Sequence, residues 1–408
     1  MRFQIIGRFF DFFDIRCYNK IVLVATNNKK GIGVFIIKRI ILSVLLSAVM
    51  LATVLCSFSG CDFLAEKLAG LAVETALENH LDSQGVFYEI LEDYSGFVVK
   101  DYDKNIGKAN IVIPDTCRGL PVVAIEHKAF YGAEHLESIV IGNNVKELDW
   151  SVFEDCTNLK KVTLGSSLTE ISTNAFRNTG IESIVIPEGV SEISFYAFAD
   201  CPNLKKVTVP KSVTTICSGA FENCYALEEV ILSEGLTVIE DNTFRNAGLK
   251  QITLPSTLTK LGEDAFAHCS ALEEVQIKSK DYELGDRAFS FCDSLKGIDY
   301  SGINNEYSGE NNEPIYLAYW CKGLEYVVLG IHTRYLDYTC FEECRNLNKV
   351  FYTSTPYAFS NIEIDNKSGD LAEFIYSDVY YYSETAPTDT EYNYWHYDEN
   401  GFPAIWPQ

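Results

Sequence analysis

Basic residues are scarce past the first sixty positions of this 408-residue chain. Residues 1–60 hold eight of the 33 Lys and Arg but only Asp11 and Asp14 of the 57 acids, leaving 25 bases against 55 acids, a balance of −30, from residue 61 onward. Such a surface repels nucleic acid and anionic membrane; it serves solubility or contact with basic partners. Long apolar runs are missing as well, since Ile40 to Leu55 is too short and wrongly flanked for an ordinary spanning helix. The six histidines, His80, His127, His135, His268, His332 and His396, form no ligand-spaced cluster, and Cys340 with Cys344 is a weak metal signal by itself. Nucleophile elbow, His-Glu-x-x-His helix, phosphate loop and dinucleotide fingerprint are all absent. The sequence therefore assigns no catalytic residue, no metal and no cofactor.

What the N-terminus does have is an address. Lys38 and Arg39 precede the apolar run, as in a signal peptide, and Phe58-Ser59-Gly60-Cys61 follows it. Small residues before a cysteine resemble the bacterial lipobox, which implies that Cys61 carries a lipid and begins the mature chain. Each buried methylene of that lipid would add about 0.8 kcal/mol of membrane affinity. A plain signal peptide or an uncleaved anchor is the alternative. Residues 1–37, with Phe9, Phe10, Phe12 and Phe13, are unlike a signal, and translation is expected to begin near Val34 to Ile37; an additional membrane segment would also fit. Residues 62–84, with Leu64, Leu68, Leu71 and Thr75 near helical spacing, read as a helical stalk.

From residue 110 onward the chain repeats itself. Phe130, Phe153, Phe176, Phe198, Phe221, Phe244, Phe266 and Phe289 recur at intervals of 23, 23, 22, 23, 23, 22 and 23. The unit is Ala-Phe, then Cys, then Leu-x-x-Val-x-Ile, often followed by Pro. After Phe176 and Phe244 the Cys segment shortens by one residue to end in Gly180 or Gly248, glycine permitting the tighter turn. Cys292, Cys321 and Cys344 carry the register onward, with Ala318 in place of Phe and about six residues inserted within Ser301 to Glu313. Each Leu-x-x-Val-x-Ile supplies a short strand with alternate residues facing inward, and stacking the coils yields continuous ladders of Phe, Cys, Leu, Val and Ile. Ten strands at roughly 4.8 Å make a sheet about 45 to 50 Å long. Cys156, Cys201, Cys224, Cys269, Cys292, Cys321 and Cys344 share one inward position, so buried free thiols are expected despite the export signal.

These residues resemble the BspA-like leucine-rich-repeat family over roughly residues 85 to 408. The resemblance implies a repeat solenoid of leucine-rich-repeat type with one short parallel β-strand per 22–23-residue coil. A β-rich N-terminal cap would occupy 85–125, the solenoid 126–353, and an aromatic C-terminal cap 354–408. It also implies surface display, adhesion to host or neighbouring-cell macromolecules and protein recognition; with the missing motifs and the lipobox, a non-catalytic surface lipoprotein that binds protein partners is expected. The candidate surface is the set of outward strand positions. One row runs Ser138, Lys161, Ser183, Lys206, Glu229, Gln251, Glu274 and turns from basic to acidic; a second includes Thr163, Thr208 and Gln276, and Tyr326 and Phe351 extend both as an apolar end. Generic strand decoration explains the same rows equally well. A spacer lipoprotein with no ligand, or a carbohydrate-binding protein using Trp395, Tyr397 and Trp406, would be the alternatives.

Overall fold

The computed structural model describes residues 79–106, 108–304, 316–337, 339–365, 378–388 and 392–407, with only the backbone at 337 and 365. The unit Met1–Glu78 lies outside them, and with it the expected prefix, signal peptide, Cys61 and all of the expected helix up to residue 78. Residues 305–315 of the insertion are likewise outside. Where the expected helix enters the described chain it is not helical: His80–Leu81 is a strand paired antiparallel with Val86–Ile90. Among the described residues no helix is long and apolar enough to cross a membrane.

The unit Asn79–Gln408 is a parallel-stranded coil stack. Its front wall is the expected strand of each repeat. Ser138–Ile141, Lys161–Thr163, Ser183–Val185, Lys206–Val209, Glu229–Leu232, Gln251–Leu254 and Glu274–Ile277 follow one another, then Gly297–Tyr300, Tyr326–Leu329 and Lys349–Tyr352. The coils from Ser138–Ile141 to Glu274–Ile277 each also make a second strand of only two residues: Glu147–Leu148, Glu170–Ile171, Glu192–Ile193 and their successors through Glu283–Leu284 pair in parallel. The front ladder breaks three times: between Lys161–Thr163 and Ser183–Val185 and between Glu229–Leu232 and Gln251–Leu254, at the two shortened coils, and again between Glu274–Ile277 and Gly297–Tyr300. Neither Gly180 nor Gly248 needs a positive φ. A Cβ there would lie 2.3 Å from the Thr157 carbonyl oxygen or 2.2 Å from that of Tyr225, so glycine is required because the shortened backbone runs against the preceding coil.

The third wall is the Ala-Phe arc. The phenylalanine N–H donates to the residue preceding the next phenylalanine, as from Phe153 to the Ala175 carbonyl and from Phe198 to that of Ala220, both 2.8 Å. Residues two before and two after the phenylalanine are left-handed, for example Asn174 and Asn178, Tyr196 and Asp200, Asn242 and Asn246. Asn and Asp tolerate this conformation best among residues with a Cβ, and their side chains then bond along the stack: Asn178 to Asp155, 2.8 Å, and Asn223 to Asp200, 2.9 Å.

Inside, the eight phenylalanines form one offset stack with centroids 5.1 to 5.4 Å apart and planes within 23° of parallel. Full burial of each contributes about 1.5–3 kcal/mol, and offset stacking about 0.5–1.5 kcal/mol more. The seven ladder cysteines are free and buried. They do more than fill space. Each thiol donates to a main-chain carbonyl of the preceding coil, from Cys156 to Phe130 at 3.0 Å through Cys321 to Phe289 at 3.0 Å. Burial pushes the Cys156 and Cys269 thiols up to about 12 and that of Cys201 to about 11.

Both ends of the front wall are closed by the chain itself. At the first strand, Asn110–Ile113, the Gln84 side-chain amide accepts from the Val112 N–H, 2.9 Å, and donates to the Val112 carbonyl, 3.0 Å, standing in for a neighbouring strand. At the far end Val379–Tyr382 and Asn393–Tyr397 add in parallel, and Pro403–Ile405 turns back antiparallel, its proline having no N–H to offer a further strand.

Candidate functional site

Strand register places the outward residues of successive coils side by side, because parallel pairing joins equivalent positions. Ser138 is aligned with Lys161, Ser183 with Lys206 and then Glu229, and Gln251 with Glu274. The first row is thereby assembled in three aligned segments that follow one another from coil to coil, half-buried at Ser138 and exposed from Lys161 to Glu274. Its charge gradient is shallower than the sequence implies, since Lys206 and Glu229 form an ion pair of 2.7 Å. Exposed pairs of this kind contribute at most about 1 kcal/mol and are readily opened by a partner.

The second row is the more distinctive feature. Val112, Val140 and Thr163 are aligned, then Val185, Thr208 and Ile231, and Thr253 opens the next segment; all are β-branched and exposed or half-exposed, with Val185 reaching 74%. Soluble sheets normally place polar side chains on a solvent face, so a file of this composition presents unusual apolar area. Gln276 ends it where the C-terminal chain crosses over, its amide donating to the Asn400 carbonyl at 3.3 Å.

The expected apolar extension of these rows needs correction. Phe351 is only 2% exposed and Val328 is fully buried; both pack with Trp395 beneath Tyr380 and Tyr397. Phe351 lies 5.3 Å from the Trp395 ring and 5.7 Å from Tyr326, so the outward alternation is right and the solvent is wrong. The later chain covers what the strand turns outward. Trp395 is equally unavailable as a sugar platform, fully buried with its indole N–H donating to the Tyr352 carbonyl at 3.1 Å; Trp406 donates to Ser383 and lies 4.0 Å from His396.

At the crossing a pocket of about 280 Å³ remains between sheet and C-terminal hairpin. Gly297, aligned with Tyr326, leaves the first row without a side chain, and the Tyr326 ring lies over it: a Cβ at Gly297 would stand 2.0 Å from the ring. Tyr397 bridges the opposite side, its hydroxyl donating to Asp299 at 2.9 Å, with Lys280 3.4 Å from the same carboxylate. Burial, then the Asp299 carboxylate, pushes the Tyr326 hydroxyl up to about 12. Neither Gly297, Asp299 nor Lys280 was identified from the sequence. The signal was present, a glycine at a row position otherwise always bearing a side chain, but the hairpin that completes the pocket pairs across about a hundred residues. Among the described residues no three His, Cys, Asp or Glu side chains converge as metal ligands.

The family model for the BspA type leucine rich repeat region matches in six copies across residues 123–247, 191–312 and 314–379. Solved structures of similar fold include the leucine rich repeat protein of T. pallidum, 27% identical, covering 52% of this chain and 89% of that one with a TM-score of 0.43. A leucine rich cell surface protein from Faecalibacterium prausnitzii is 22% identical over 70% of this chain and 97% of its own, TM-score 0.43. The pneumococcal vaccine antigen PcpA is 17% identical over 72% and 99%, TM-score 0.38. No curated protein matches the chain. The repeat units from residue 123 to residue 379 make the chain a member of the BspA type leucine-rich-repeat family.

Proposed function

We propose that this protein is a non-catalytic surface lipoprotein that binds a protein partner along its front wall, mediating adhesion or recognition outside the cell. The observation that carries the reading is the β-branched file from Val112 to Thr253, flanked by the polar row from Ser138 to Glu274. An apolar stripe beside a polar one is suited to an extended partner segment, and the acidic balance favours a basic one. Lys38 to Cys61 supplies export and lipidation, with 62–78 as the link to the solenoid, 79–125 and 354–408 closing its ends, and 126–353 presenting the surface. Reversing Lys161, Lys206, Glu229 and Glu274 together tests it. Partner capture in a pull-down should fall at least about tenfold, a change of roughly 1.4 kcal/mol. Capture equal to the unaltered protein rejects the front wall as the site. A spacer lipoprotein predicts no saturable capture by either.

A further inference from the structure

The pocket under the C-terminal hairpin has a specific chemistry. Two tyrosine rings, Tyr326 and Tyr397, flank the Asp299 carboxylate, and Gln276 offers an amide beside them. The Tyr326 ring lines the space from above Gly297. After burial, the charges of Asp299, Glu274, Asp398 and Glu325 each push the Tyr326 hydroxyl up, so the field at the pocket is negative. Aromatic faces with an adjacent carboxylate form a cation clamp, since ring quadrupole and charge attract the same sign.

The protein already fills part of that clamp with its own cation. The Lys280 ammonium lies 5.4 Å above the Tyr397 ring centroid and 3.4 Å from Asp299. Its side chain is 61% exposed, so it can swing into water at little cost. The other nearby lysine, Lys278, reaches back two coils, 4.0 Å from Glu234. We propose that the pocket receives an arginine side chain of the protein partner, which displaces Lys280 from Asp299 and lies between Tyr326 and Tyr397. A guanidinium is better suited than the lysine it replaces: it is planar, less strongly hydrated, stacks on aromatic faces and can meet a carboxylate with two parallel hydrogen bonds. The 280 Å³ available holds one such side chain with several waters of roughly 30 Å³ each. Its position where the β-branched file stops makes it the terminal anchor for a segment lying along the wall.

This inference rests on the front wall being the partner surface, and a small probe separates the two. The peptide Gly-Arg-Gly is titrated onto the full chain and followed by ligand-detected NMR, with Gly-Lys-Gly and N-acetylglucosamine in parallel. Saturable millimolar binding of the arginine peptide is expected, weaker for lysine and absent for the sugar. Lys280→Ala, which empties the clamp, should tighten it about tenfold, and Asp299→Asn should weaken it about tenfold. Tyr326→Leu, which keeps an apolar cover over Gly297, should give a similar loss with the thermal midpoint retained, so that a folding defect in Asp299→Asn cannot mimic the result. No saturation with Lys280→Ala, binding indifferent to both Asp299→Asn and Tyr326→Leu, or sugar binding in place of arginine would overturn the proposal. If it fails while reversal of the row charges still abolishes partner capture, the front wall stands and only the anchor is lost.

Discussion

A single phenylalanine in the stack is held from both sides by its neighbours, so its loss is felt by three coils. Phe221→Ala should cost about 3–5 kcal/mol, read as a shift of the urea midpoint, because coils tied by backbone bonds on three walls leave little freedom to collapse onto the cavity. The cysteine ladder makes a different statement. Folded Cys156, Cys201 and Cys269 hold their protons up to about 11 or 12, whereas unfolded thiols release theirs near 9. The folded state then binds more protons than the unfolded one across that window, so stability is complete below pH 9 and falls as pH rises towards 11. Thermal midpoints measured from pH 8 to 11 should decline, and Cys201→Ala should make the decline shallower; an unchanged slope would contradict the ladder's role. The phenylalanine and cysteine positions were plain in the sequence because period alone exposes them. The left-handed positions were not read, although Asn174, Asn178, Asn242 and Asn246 mark them, since hydrophobic periodicity carries no information about φ.

Elements show where alternation stops being sufficient. The front strands and the outward direction of their residues follow from a period of two, and the register across coils follows from the repeat itself. Whether an outward residue meets water depends on chain that comes much later, which is why Phe351 looked available and is not. The two-residue strands, such as Glu170–Ile171, escaped notice because a polar residue followed by one apolar residue is too short to show periodicity. Removing residues 391–408 tests the closing role of the hairpin. Phe351 and Val328 would be uncovered and a parallel strand edge opened, so the truncated chain should bind a hydrophobic dye and self-associate in light scattering, while remaining monomer-like behaviour would contradict it.

Across the whole molecule, continuity is the property that matters: each coil contacts its neighbours, and the outward rows exist only because many coils keep one register. Strength therefore comes from repetition, and the proposed arginine anchor lies where repetition lapses, at Gly297 and the C-terminal crossing. The acidic balance from residue 61 onward should make capture of a basic partner weaken as salt rises, most steeply below about 0.15 M, where the Debye length exceeds about 8 Å. The most direct test of a binding front wall is site-specific photocrosslinking. Benzoylphenylalanine placed at Ser183 or Gln251, on the first row, is compared with placement at Tyr225, which is 66% exposed but lies in the turn after Cys224. Covalent partner adducts from Ser183 and Gln251 alone are predicted, and adducts from Tyr225 with none from the two row positions would contradict it.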